Sequence, residues 1–225
     1  MLPLILAGLS FIGIHIGISG THLRDRAVAA IGLRGYMVVF SVASIATMAW
    51  LVSTYVKAPY IATWGQLQWW KPFAIALMLP AFLLVVVGLT TPNPTAVGQE
   101  GTVSKAPAGI VRVTRHPFLM GAALWSAVHL VGNGDAASLV FFAALFVVSA
   151  AGTVSIDAKR ARNLGHAAWD GFASRTSILP FAAIAGGRNS LALREFGWWR
   201  PLAGVVAYAL MLGGHAHIVG VSPWP

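Results

Sequence analysis

Six stretches of the chain stay apolar long enough to cross a bilayer, and short polar stretches separate them. They run over residues 1–21, 35–56, 71–91, 117–133, 137–156 and 199–219, where a helix needs about 20 residues to span the hydrocarbon core. The fourth is the shortest. It is followed at once by the breaker cluster Gly132-Asn133-Gly134-Asp135 and then by the fifth, so the two are expected to form a helical hairpin. Pro92, Pro94, Gly98, Gly101, Pro107 and Gly109 make residues 92–114 an expected irregular loop. Residues 157–175 predict a short interfacial helix, with Ile156, Leu164, Ala168, Trp169 and Phe172 on its apolar side. The pattern as a whole predicts an all-α fold: a polytopic membrane helical bundle of about six transmembrane helices, forming a single domain over residues 1–225.

Composition strengthens this. The chain is 57% hydrophobic and 9% charged, with a mean hydropathy of +0.75. A soluble domain carries about 25% charged residues, so this sequence cannot clothe a water-facing surface, and its first partner is the lipid bilayer. The first apolar run starts without a basic segment and no small-residue cleavage site follows it, so it is expected to be a retained span.

The net charge of +9 is unevenly placed. The first connection holds Arg24, Arg26 and Arg34, and the third holds Lys105, Arg112 and Arg115. The fifth holds Lys159, Arg160, Arg162, Arg175, Arg188, Arg194 and Arg200. The second holds only Lys57 and Lys71, and the fourth holds none. By the positive-inside rule the odd-numbered connections are cytoplasmic and both termini lie outside. No basic stripe or recognition helix accompanies the charge, so no nucleic-acid partner is expected. Trp64, Trp69 and Trp70 then mark the outer interface, and Trp198 and Trp199 the inner one.

Candidate chemistry rests on histidine. The absence of cysteine excludes disulfides, thiolate metal sites and c-type haem attachment. With six Asp and Glu there is no paired-carboxylate site, and Asp157 and Asp170, among arginines, read as structural ion pairs. No His-x-Glu zinc signature and no phosphate loop occurs. Of the seven histidines, His15 lies roughly 10 Å and His129 roughly 20 Å from the cytoplasmic end of its span, a gap that helix tilt narrows. Each either bonds a neighbouring helix as a neutral ring or shares a ligand with the other. His116, before Pro117, can meet neighbouring backbone or a phosphate; His22 and His166 read as solvated. Of His215 and His217, near the outer end of the sixth span, at most one points inward. One chemistry suits a cysteine-free bundle with deep imidazoles: haem held by two histidines from two helices, its propionates met by arginines.

The motifs also resemble a family. His15 with Leu23-Arg24 and Gly35-Tyr36, then Arg115-His116-Pro117, Gly121, Leu124-Trp125, His129-Leu130 and Asn133-Gly134-Asp135 form its first part. Asp157 with Lys159-Arg160, Gly165, Trp169 and Phe172 follow. After them come Thr176 to Phe181, Ala183-Ile184, Gly187-Arg188, His215 and Gly220 to Pro223. In this order, nearly the whole chain resembles the NnrU family. That family is associated with bacterial denitrification and nitric-oxide metabolism, and is related to the plant and cyanobacterial 15-cis-zeta-carotene isomerases. The resemblance implies a multi-pass protein of the bacterial inner (cytoplasmic) membrane. It further implies haem b with His15 and His129 as axial ligands, and nitric oxide or an apolar polyene as the molecule acted on. His116, Arg115 and Arg24 are expected at the cytoplasmic mouth of the site, and His215 lines it from the outer side. A further isomerase histidine corresponds to Val148 here, which bears on isomerisation more than on haem. Arg-His-Pro followed by a glycine also resembles, more distantly, isoprenylcysteine carboxyl methyltransferases, where it helps bind S-adenosylmethionine. A haem-dependent carotene isomerase, a methyltransferase and a cofactor-free assembly factor are therefore the alternatives to a haem protein of nitric-oxide metabolism.

Overall fold

Local chemistry sets most of the helix ends. In the computed structural model, which describes residues 1–225, helix α1 (Leu2–Ile12) carries Pro3 in its first turn and runs on as a π-helical segment, Gly13–Ile18. The Thr21 hydroxyl accepts the Leu23 N–H and caps α2 (His22–Val56). Within α2, Gly32 sits at φ +75°, a conformation open to glycine, and kinks the helix there. Helix α3 (Lys71–Thr90) descends to the loop that holds the single turn α4 (Ile110–Val113). Pro117 opens α5 (Pro117–Asn133), which ends on Gly134 in the left-handed region. The Asp135 carboxylate then caps α6 (Ala136–Leu164) at the Ser138 N–H, 2.9 Å away. Short helices α7 (His166–Ala173) and α8 (Ala182–Ala185) lead to α9 (Trp199–Val219).

All six predicted spans are helical, and the hairpin of the fourth and fifth forms at Gly132–Asp135 as expected. Two boundaries differ. Helix α2 starts at His22 rather than residue 35, so the first connection is itself helical; α6 runs to Leu164 rather than stopping at 156. The edge of an apolar run marks the hydrocarbon boundary, not the end of a helix. Arg, Lys and Ala propagate helices well, and α6 stops only at Gly165, φ +83°. Helices α2, α3, α6 and α9 are long and apolar enough to cross a membrane by length and composition. The Leu2–Ile18 helix and α5 are shorter, the latter 17 residues.

The long helices pack as a row, α2–α1–α6–α5–α3–α9. One core, of Leu4, Ala7, Phe11, Leu51, Phe141 and Phe142, lies between α1, α2 and α6. A second joins Leu84 and Val87 of α3 to α4 and to Trp169 and Phe172 of α7, so the apolar side of α7 docks on protein. The outward rows, such as Val38, Val42 and Ile45 of α2 and Leu210 of α9, are exposed as lipid-facing residues would be.

Close approach of α3 and α5 depends on glycine. A methyl group at Gly121 would lie 2.7 Å from the Val85 side chain and 2.8 Å from the Ala81 carbonyl oxygen; at Gly88 it would lie 2.9 Å from Pro117. Such small-residue contacts let membrane helices pack backbone to backbone. Gly121→Leu is therefore expected to push α5 off α3 and cost about 1–3 kcal/mol, read as a lower midpoint of thermal unfolding in detergent. Gly213→Ala, where an added methyl meets nothing within 4 Å, is the matched control.

The connection between α2 and α3 packs on the end of α5. Thr63 and Gly65 N–H donate to the Gly134 carbonyl, both at 2.9 Å. The Trp64 and Trp70 indoles donate to the Val131 and Val128 carbonyls. The Trp64 bond, with one from the Leu67 N–H to the Gly132 carbonyl, satisfies carbonyls in the last turn of α5 that no later helical N–H can reach, and together the bonds fix the turn that carries His129.

Candidate functional site

At the end of the bundle that carries the α5–α6 turn, imidazoles of α5 and α9 lie close together. The His129 and His215 ring centroids are 6.5 Å apart, with their planes inclined by 23°. In both rings Nδ1 is spent on a backbone carbonyl: His129 on Trp125 at 2.8 Å, His215 on Val221 at 2.7 Å. A carbonyl accepts only from N–H, so Nδ1 is the donor in both rings, and the tautomer this favours carries its lone pair on Nε2, the form in which imidazole binds a metal. His129 is further held between the Trp125 ring, 4.8 Å away, and the face of Phe142, 4.7 Å away. Glycine at 220, φ +77°, turns the chain after α9 so that Val221 comes back over His215. His217, two positions on, is exposed, as the helical spacing predicts.

His15 has different company. It sits in the π-helical segment, where its Nδ1 bonds the Phe11 carbonyl at 2.8 Å and its Nε2 lies 3.1 Å from the Ser44 hydroxyl of α2. Phe11 and Phe40 flank the ring. Both nitrogens are thus used, and the ring ties α1 to α2. Of the sequence-predicted ligands, the structure brings His129 together with His215, and sets His15 against Ser44. Ser44 carried no sequence signal, since a serine within an apolar run is unremarkable.

At the opposite end of the bundle, Asp157 of α6 gathers the other predicted residues. Arg115 reaches it in a fork, with Nε donating at 2.9 Å to Oδ2, and His116 Nε2 lies 2.7 Å from Oδ1. The Arg115 carbonyl accepts from Asn93 Nδ2 and Thr95 Oγ1, which pins the Arg-His-Pro turn to the loop before it. Asp157 does form the ion pair expected of it, with a histidine added. Arg24 lies over the Tyr36 ring, 5.5 Å from its centroid, and pairs with Asp25. Arg160, buried, holds Glu100 at 2.6 Å. Arg115 and His116 are spent on Asp157, and stand some thirteen residues below His129 on α5, roughly 20 Å along the axis. They therefore build the end of the bundle away from the His129–His215 pair.

Burial holds the His116 imidazole below its ordinary range, against the pull of Asp157 and with the nearby Arg115 and Arg160 charges adding to the shift. Its Nδ1 is buried without a partner, which suits a neutral ring donating from Nε2 to the carboxylate. Because the folded ring resists a proton that the unfolded one accepts, this stability is complete above about pH 6.5 and is lost as pH falls through the lower folded value. Thermal midpoints in detergent are expected to fall on acidification below that pH, and less steeply in His116→Asn; an identical slope in the two proteins would assign the effect elsewhere.

Asp170 makes no side-chain ion pair, and His22 and His166 are exposed, His22 beside Asp25 at 3.5 Å. No group of three His, Asp or Glu is placed to hold a bare metal ion.

Against this geometry the comparisons with known proteins are specific. The family model described as NnrU protein matches residues 3–223. The chain is 25% identical over 201 residues to the chloroplastic 15-cis-zeta-carotene isomerase of Zea mays, covering 84% of this chain and 52% of that protein. To the Arabidopsis thaliana enzyme of the same name it is 28% identical over 198 residues, covering 85% and 52%. The chain thus spans about half the length of the curated relatives it matches. No solved structure matches it.

Proposed function

The chain belongs to the NnrU family of multi-pass helical membrane proteins, and on that premise we propose that it holds one haem b near the outer end of the bundle, with His129 and His215 as axial ligands. One observation carries the reading: two imidazoles, each with Nδ1 tied to a carbonyl and Nε2 without a protein partner, have centroids 6.5 Å apart. Two imidazoles this close would be the residues to hold one haem iron between α5 and α9. The donor set fits as well. Two nitrogens are too few for a bare transition metal, which needs four or more ligands, but are the complement required when a porphyrin supplies the other four.

The chain's own residues do the positioning. The Trp125 carbonyl and the Phe142 face orient His129, while the Val221 carbonyl orients His215. The Trp64 and Trp70 bonds fix the turn of α5 beneath the first. His15 serves as the tie between α1 and α2. Arg24, Arg115 and His116 close the cytoplasmic end. When bound, haem would supply one-electron redox chemistry and the capacity to bind nitric oxide or an electron-rich polyene. We place the odd-numbered connections in the cytoplasm and the protein in a bacterial inner membrane, on the asymmetry of its Lys and Arg. Zeta-carotene isomerisation is the second reading, favoured by the names of the matched relatives.

The direct test is the haem content of protein purified from haem-replete cells. The pyridine haemochrome is expected to report b-type haem at close to one per chain. A colourless preparation would reject the proposal and favour the assembly-factor alternative.

A further inference from the structure

On the side of the molecule opposite the histidine pair, the third and fifth connections enclose an open cleft of about 410 Å³, lined by Ala106, Pro107, Arg112, Arg175, Arg188 and Ser190 among others. Three guanidinium groups border it, and no carboxylate is among its lining residues. Arg112 is neutralised from behind: Glu195 takes its Nε and Nη2 at 2.7 and 2.8 Å, and Asn189 accepts from Nη1. The same fork, with the Gly109 N–H, holds the Glu195 carboxyl below the usual range. Arg175 and Arg188 have no acidic partner. Each is anchored to backbone instead. Arg175 Nε donates to the Gly171 carbonyl, and Arg188 Nη1 donates to those of Ser174 and Thr176 at 2.8 and 2.9 Å.

Those anchors matter because they orient two charged forks without consuming them. Arg175 keeps both terminal nitrogens, and Arg188 keeps Nε and Nη2. Asn189 Nδ2 donates to the Arg175 carbonyl and so locks the 186–190 turn to the end of α7. Gly187, φ +66°, gives that turn its direction. Solvated surface arginines usually float on a flexible stem; here the entropy of holding two of them is already spent by the fold. The group that answers two adjacent forks is a tetrahedral oxyanion with several acceptor oxygens.

We propose that the Arg175–Arg188 cleft binds a phosphoryl group. The exposed side chains of Leu179, Phe181, Leu191 and Leu193 come from the same connection. Exposed apolar side chains on the connection that carries both arginines favour the phosphate of an anionic phospholipid headgroup over a soluble phosphate compound, and the two sources are separable by experiment.

The test uses the full chain in detergent and, separately, in nanodiscs. Inorganic phosphate is titrated in the first while the thermal midpoint is read, with sodium chloride at equal ionic strength as reference. Nanodiscs of phosphatidylcholine with and without phosphatidylglycerol serve the second, with lipid retention read by native mass spectrometry. Retention of phosphatidylglycerol, reduced at least tenfold in Arg175→Gln and unchanged in Arg194→Gln, supports the lipid headgroup. A midpoint raised by phosphate beyond the chloride reference, with the same variant pattern, supports a soluble phosphate compound. Equal losses in Arg175→Gln and Arg194→Gln would show attraction by net charge alone and overturn the site, as would the absence of any effect of phosphate or phosphatidylglycerol. Arg188→Lys, which keeps a charge but loses the fork, separates recognition from folding: intact thermal stability with weakened binding is the outcome expected.

Discussion

Asp157→Asn is expected to destabilise the protein by about 3–5 kcal/mol, the cost of breaking a largely buried ion pair by removing one partner. The Arg115 guanidinium and the Asp157 carboxylate are 12% and 15% exposed, and His116 is almost fully buried on the same carboxylate. Neutralising Asp157 leaves the arginine charge without compensation in a site that water barely reaches. The asparagine must also present an NH2 where an oxygen accepted. The effect extends beyond the pair, because Asn93 and Thr95 hang on the Arg115 carbonyl and Thr114 bonds Ile178. Thermal or denaturant unfolding in detergent measures it. His116→Ala is expected to cost less than Asp157→Asn, since it removes a neutral donor and leaves the Arg115 fork whole.

The second large effect concerns the histidine pair. On the proposed haem reading, His129→Ala and His215→Ala are each expected to lower haem retention at least tenfold, since either would remove one of the two residues proposed to hold it. His15→Ala is expected to keep the haem and lose about 1 kcal/mol of stability with its hydrogen bond to Ser44. The contrast comes from the second nitrogen. In His15 it is spent on a neighbouring hydroxyl; in His129 and His215 it is not.

The sequence made the helices legible because six apolar runs, a capped hairpin and a lopsided charge distribution each follow from local chemistry. Asp135 as a cap, Pro117 as a first residue and Gly134 as a stop could all be read without coordinates. The overlong ends of α2 and α6 could not, because polar residues beyond the bilayer continue a helix as readily as apolar ones. The site was half legible. His129 stood out by its depth, and His215 by its place among the family's motifs. Depth along a helix says nothing about rotation around it, however. Pairing His129 with His15 rested on depth, whereas in the structure His15 meets Ser44 and the chain end folds Val221 back onto His215, beside His129. Asp157 was read as an arginine's partner. Its bond to His116 depends on how α6 continues past the apolar run, which the pattern gave no means to see.

The measurement that bears most directly on the proposed site is the absorption and EPR spectrum of the oxidised protein and of its three histidine variants, each purified from haem-replete cells. The wild-type protein and His15→Ala are expected to show a low-spin, bis-imidazole haem b, lost or converted to high spin in His129→Ala and in His215→Ala. A low-spin spectrum that survives in His215→Ala and disappears in His15→Ala would contradict the pairing.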